Sequence, residues 1–254
     1  MSLVNFQQQG SGADVLLIHG LLGSLENLNM VAKGLSENYR VTSIDVRNHG
    51  SSFHENNMDY NVLAQDVVNL LDHLNIENTH ILGHSMGGKI AMKTAFLYEN
   101  RVNKLIVADI APVQYPPHHQ EILTGLQSLN LATLTNRKEA DAALIPYVNL
   151  ASTRQFLLKN LQTKNGKLSF KCNLKNIQSG YESIMMGQTA EKPYTDKTLF
   201  IKGGNSDYIT ADHQALIGSL FTQPQVKIIN GAGHWLHAEK THIFNKIVND
   251  FLVG

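Results

Sequence analysis

Apolar residues follow two rhythms along the chain. Short, nearly continuous aliphatic and β-branched runs occur at residues 15–18, 41–46, 80–82, 104–110, 198–202 and 226–229. Runs of this length without polar alternation predict strands covered on both faces of a sheet. Between them, apolar positions recur at three- and four-residue steps over residues 60–74, 90–97 and 243–252, which predicts amphipathic helices. Strand–helix–strand alternation of this kind predicts an α/β fold with a mostly parallel central sheet flanked by helices.

The alternation breaks between about Pro112 and Lys197. Pro112, Pro116 and Pro117 open this stretch and Pro193 closes it. Helical patterns occupy residues 121–129, 138–145 and 152–161, with a weak strand candidate at 168–170. The reading is a helical cap over residues 112–197, inserted into a core built from residues 1–111 and 198–254. No internal repeat or low-complexity tract interrupts this division.

Composition narrows the function classes. Lys and Arg number 21 and Asp and Glu number 21, so the formal net charge is zero and no basic stripe is expected to bind nucleic acid. No apolar run reaches the length of a membrane span, and the amino terminus lacks a basic segment followed by an apolar core. The single cysteine, Cys172, excludes an internal disulfide and reads as a packed thiol. Together these features read as a cytoplasmic protein without an integral membrane segment. No metal, nucleotide or flavin site is expected: Gly10-Ser11-Gly12 is a turn before a strand, and His118-His119 lacks a ligand partner at metal-binding spacing, the side chains of adjacent histidines being expected to diverge.

The most informative residues are Gly83-His84-Ser85-Met86-Gly87-Gly88. They follow the predicted strand at 80–82 and open a helix, which is the context a Gly-x-Ser-x-Gly nucleophile requires. A serine at such a junction is held in a strained conformation that lifts its hydroxyl clear of the sheet, while small neighbours let strand and helix approach. Ser85 is therefore the candidate nucleophile. Among 12 histidines, His234 in Gly231-Ala232-Gly233-His234-Trp235 is the candidate base, because its loop follows the last predicted strand and faces the same rim as the serine. Gly20 follows His19 and permits a tight turn that aims the amide of Leu21 at an oxyanion; the amide of Met86, next to the nucleophile, is the second expected donor.

These strings, with Val46-Arg47-Asn48-His49-Gly50, Asp109-Ile110-Ala111-Pro112-Val113 and Gly203-Gly204-Asn205-Ser206, resemble the α/β-hydrolase superfamily and its YbfF-like esterase branch. The match runs from about Val15 to the C-terminus and is weakest across the cap. The resemblance implies a cofactor-free serine esterase acting on small-molecule acyl esters, or acyl thioesters, through an acyl-enzyme. In most of the superfamily the triad acid follows the penultimate strand, three residues after a Gly. Counted from Gly203, Ser206 stands there and Asp207 one place later. Asp109, at the end of the strand at 104–110, is the competitor and is favoured, since a buried strand-end carboxylate stabilises an imidazolium. Asp45 lies too early in chain order and reads as a turn carboxylate. Other serine-triad activities (peptidase, lyase, peroxidase) and a non-hydrolytic binding or scaffold role on the same fold remain alternatives.

Overall fold

The computed structural model describes residues 2–254. The core elements run in the order β1 (Phe6–Gln9), β2 (Ala13–Ile18), α1 (Asn29–Leu35), β3 (Tyr39–Ile44), α2 (Tyr60–His73), β4 (Thr79–His84), α3 (Met86–Leu97) and β5 (Val102–Ala108). There follow α4 (Gln120–Ser128), α5 (Arg137–Leu144), α6 (Ala151–Leu157), the strands β6 (Leu161–Lys164) and β7 (Lys167–Phe170), α7 (Leu174–Ser179) and α8 (Tyr181–Met185). The chain then returns through β8 (Thr198–Gly203), α9 (Gln214–Leu220), β9 (Pro224–Ile229), α10 (Leu236–Glu239) and α11 (Thr241–Val253).

Seven strands form one sheet in the order β1-β3-β2-β4-β5-β8-β9. All neighbours are parallel except β1, which runs antiparallel to β3. Strand β2 explains why its sequence is an unbroken apolar run. Leu16 and Ile18 pack into the same core as Leu63 and Val67 of α2 and Ile90 of α3. Val15 and Leu17 point to the opposite face, into the core that holds Val31 and Leu35 of α1 and Phe244 and Val248 of α11. Both faces of the sheet are covered here, so every position from Val15 to Ile18 is buried. Helix α2 starts where predicted because the Asp59 carboxylate accepts hydrogen bonds from the amides of Asn61 and Val62.

Four elements differ from expectation for physical reasons. Strand β9 carries the apolar run at 226–229 but lies at the sheet edge, where Val226 and Ile228 are exposed and not covered on both faces. Strand β1 is Phe-Gln-Gln-Gln, largely exposed at the sheet edge, and has no apolar run to announce it. Strand β5 stops at Ala108 and not at residue 110, because Asp109 takes φ 51° and turns the chain out of the sheet. The helical pattern at 152–161 ends at Leu157, and Leu161 opens an antiparallel hairpin with Phe170 as its partner. That hairpin turns on Asn165 and Gly166, at φ 52° and 73°, the residue types a tight hairpin turn favours.

Residues 112–197 lie across the carboxyl ends of the parallel strands. Asn160 Nδ2 donates to Leu22 O at 2.6 Å, the Asn173 amide donates to Asn48 O at 2.8 Å, and Tyr60 Oη donates to Ile184 O at 2.6 Å. Between them these bonds tie the segment to the loops after β2 and β3 and to helix α2. Cys172 is buried here, and burial pushes its thiol up to about 12, which leaves it an unreactive packing residue.

Candidate active site

Ser85 stands between β4 and α3 with φ 55° and ψ −123°, a conformation that costs free energy outside glycine. Its surroundings enforce it. The Ser85 amide donates to Ala108 O at 2.9 Å, locking the junction to the end of β5. A Cβ on Gly83 would overlap the Gly87 carbonyl, and one on Gly87 would overlap the Ile18 carbonyl. The two glycines are thus required by close backbone approach, as the spacing of the motif implied.

The three side chains favoured from sequence converge. His234 Nε2 lies 3.0 Å from Ser85 Oγ, and His234 Nδ1 lies 2.8 Å from Asp109 Oδ2. Asp109 is fully buried, and Oδ1 accepts the Gly203 amide at 2.8 Å. Ser206 Oγ also donates to Oδ2 of Asp109. Ser206 thus donates to the buried carboxylate that follows β5. Asp207 is exposed and makes no hydrogen bond to His234. Asp45 is a turn carboxylate: it accepts from the amides of Leu25 (2.8 Å) and Ser51 (2.9 Å) and from Asn5 Nδ2 (2.8 Å).

Two features of the His234 environment carried no sequence signal. The ring of Tyr208 stacks on His234 with centroids 3.9 Å apart and planes 17° off parallel. The His234 carbonyl is 2.8 Å from His84 Nε2, so the residue before the nucleophile also steadies the histidine loop. Burial and the neighbouring imidazoles of His237 and His234 hold His84 well below the usual histidine range, and it stays neutral.

The loop after β2 is held by two further neutral histidines. His19 Nε2 accepts the Val46 amide at 3.0 Å, so Nδ1 carries the hydrogen and donates to Gly20 O at 2.7 Å. His49 Nε2 accepts the Leu22 amide at 3.1 Å, and Nδ1 donates to Arg47 O at 2.9 Å. Burial lowers both pKa values, that of His49 to about 3. Arg47 is in turn fixed by a two-point ion pair to Asp66 at 2.6 and 2.7 Å. Within this brace the amides of Leu21 and Met86 have no acceptor among the described residues. Unsatisfied backbone donors beside a serine hydroxyl are suited to a developing negative charge.

A cavity of about 290 Å³ opens on Ser85 and His234 and is walled by Ile122, Leu150, Phe156, Leu157 and Trp235. A smaller cavity, about 20 Å³, opens on Ser85 from the other side and borders Met86, Lys89 and Met185. Met86, Met185 and Trp235 contribute apolar wall, whereas Met186 is half exposed and lines neither cavity.

Lys89 is buried one turn along α3 from Ser85 and has no ion-pair partner among the described residues. Its Nζ donates to Met185 O (3.2 Å) and Met186 O (2.7 Å) and lies 4.8 Å from the Tyr115 ring centre. Burial lowers its pKa to about 7. Between there and about 10.4, the range of a free lysine, the unfolded chain holds a proton that the folded chain lacks. Stability therefore rises with pH across this window. The wild type is expected to gain on Lys89→Met from pH 7 to pH 9, by at most about 1.4 kcal/mol per pH unit. Urea unfolding at the two pH values measures it. A difference independent of pH would mean that the carbonyls and rings keep the ammonium charged.

Residues 15–241 match the alpha/beta hydrolase fold family. The chain belongs to that family, and its similarities lie with the YbfF-like esterases. It is 34% identical over 247 residues to esterase YbfF of Escherichia coli strain K12, covering 97% of this chain and 95% of the relative. It is 36% identical over 246 residues to the sn-1-specific diacylglycerol lipase ABHD11 of Mus musculus, covering 94% of this chain and 80% of the relative. The solved structure of a marine microorganism esterase matches with a TM-score of 0.96 at 37% identity, covering 99% of this chain and 100% of the other.

Proposed function

We propose that the protein is a serine carboxylic ester hydrolase in which Ser85 is the nucleophile, His234 the general base and acid, and Asp109 the orienting carboxylate. The observation that carries this reading is the continuous line of hydrogen bonds from Asp109 through His234 to Ser85 at the mouth of a cavity. As Ser85 Oγ attacks an acyl carbonyl, His234 Nε2 takes its proton. The resulting imidazolium is held by the buried Asp109 carboxylate. Negative charge on the carbonyl oxygen meets the amides of Leu21 and Met86, each worth about 3 kcal/mol of barrier. His234 then protonates the departing alcohol, and water attacks the acyl-enzyme by the same route in reverse.

The apolar walls suit esters with a hydrocarbon portion. Thioesters are a second substrate class for the same steps, since their carbonyl is attacked in the same way. Residues 112–197 act as a lid, because Ile122, Leu150, Phe156 and Leu157 supply about half of the apolar wall. The cytoplasm is the proposed compartment, supported by a lone buried thiol that needs no oxidising environment. The test is stoichiometric labelling by a fluorophosphonate probe together with hydrolysis of 4-nitrophenyl butyrate. Labelling is expected at Ser85 and is expected to abolish the hydrolysis. An unlabelled protein, or a labelled one with full activity, would overturn the reading.

A further inference from the structure

His119 stands at the junction of the two cavities, in contact with both. It lies just ahead of α4. Contrary to the divergence expected of adjacent histidines, its ring packs on that of His118 with centroids 4.0 Å apart. The two rings bond in different directions. His118 Nδ1 donates to Pro116 O at 2.8 Å, and its Nε2 lies 2.7 Å from Tyr208 Oη.

The state of His119 follows from Tyr181. The Tyr181 hydroxyl oxygen accepts the amides of His118 at 3.1 Å and His119 at 3.0 Å. A phenol oxygen has two acceptor positions, and both are filled. The third neighbour, His119 Nδ1 at 2.9 Å, must receive the phenol hydrogen and cannot supply one. The ring hydrogen of a neutral His119 therefore sits on Nε2. Burial, with repulsion from His118 and His234, lowers its pKa to about 3, so the ring is neutral at physiological pH. Nε2 has no protein acceptor and is not among the sealed, unsatisfied atoms. It is a donor with a fixed hydrogen on a ring that lines the space beside Ser85.

The cavity walls say which part of a substrate it meets. His234 lines the large cavity and not the small one. The leaving oxygen must lie near His234 Nε2 to be protonated, which places the alcohol portion of the ester in the large cavity. Most of that cavity is hydrocarbon, and among its other imidazoles His19 and His118 spend both ring nitrogens on the protein and His84 Nε2 bonds the His234 carbonyl.

We propose that His119 is a specificity-determining residue whose Nε2–H, fixed by Tyr181, donates a hydrogen bond to an oxygen carried by the alcohol portion of the substrate. The favoured substrates are esters whose alcohol portion carries a further oxygen, over esters of plain alkyl alcohols. The proposal rests on the serine esterase reading above, and its test separates the two.

The experiment compares glycerol 1-monobutyrate with pentyl butyrate, which share an acyl group and have alcohols of similar length. His119→Phe keeps an aromatic ring and removes the donor. It is expected to lower kcat/KM for the glycerol ester about tenfold or more, and to leave the pentyl ester within about twofold. Tyr181→Phe frees the tautomer and is expected to give the same selective loss to a smaller degree. His119→Gln, which restores an N–H donor, is expected to recover part of it. Fluorophosphonate labelling of Ser85 at the wild-type rate in each variant reports an intact triad. An equal loss for both esters, or no loss for either, overturns the role of His119. Failure of the wild type to hydrolyse either ester or to label at Ser85 overturns the esterase reading itself.

Discussion

Ser85→Ala is expected to reduce hydrolysis of 4-nitrophenyl butyrate by a factor on the order of 10⁴ to 10⁶, with the fold unchanged. Alanine keeps the Cβ that the strained junction already accommodates at φ 55°. It also leaves in place the Ser85 backbone bonds to Ala108 and to the amides of Gly88 and Lys89. Only the hydroxyl is lost, and that hydroxyl has a single designated partner, His234 Nε2 at 3.0 Å. The factor is finite because the Leu21 and Met86 amides would still polarise a bound carbonyl toward attack by water. Thermal unfolding of the variant should match the wild type, since the hydroxyl faces the cavity and supports no other group. Turnover above about one percent of wild type, in a preparation free of contaminating esterase, would mean that another group attacks the ester.

The strand–serine–helix junction at Ser85 was legible in the sequence because its geometry imposes strict local demands. A strand, a serine at positive φ and a helix packed within backbone contact leave no room for side chains at Gly83 and Gly87, and the pattern of glycines records this. His234 was legible through topology, since loops at the carboxyl ends of parallel strands share one rim. The sheet was legible wherever a strand carried an apolar run, in the strands buried on both faces and also in the exposed edge strand β9. Strand β1 was not, because an edge strand with exposed glutamines is held by backbone hydrogen bonds to β3 that leave no trace in side-chain pattern. The hairpin of β6 and β7 carried two signals, the strand candidate at 168–170 and the Asn165-Gly166 turn, inside a segment read mainly as a helical cap. Tyr208, His119 and Tyr181 were unreadable for another reason. Their roles depend on residues 112–197 folding back over the rim, and contacts between partners separated by 62 or 90 positions have no local signature.

Asp109→Asn is expected to cut kcat for the same ester by about 10⁴, whereas Asp207→Asn should stay within about twofold. The difference follows from what each carboxylate touches. Asp109 receives three hydrogens: from the Gly203 amide on Oδ1, and from Ser206 Oγ and His234 Nδ1 on Oδ2. An asparagine offers one carbonyl oxygen and an NH₂ group. Whichever way it turns, the NH₂ faces a donor. Turned toward His234, it removes the hydrogen from Nδ1 and places it on Nε2, where the imidazole can no longer accept the Ser85 proton. Turned toward Gly203, it leaves that buried amide unpaired and offers His234 a neutral oxygen in place of a charge, so the imidazolium loses its counter-ion at full burial. Asp207 is exposed and one residue past Ser206, and the change there exchanges one solvated side chain for another. Parallel measurements on the two variants decide the assignment. The opposite ranking would require the loop after β8 to carry Asp207 inward and Ser206 out, breaking the contact between Ser206 and Asp109 that the buried acid now receives.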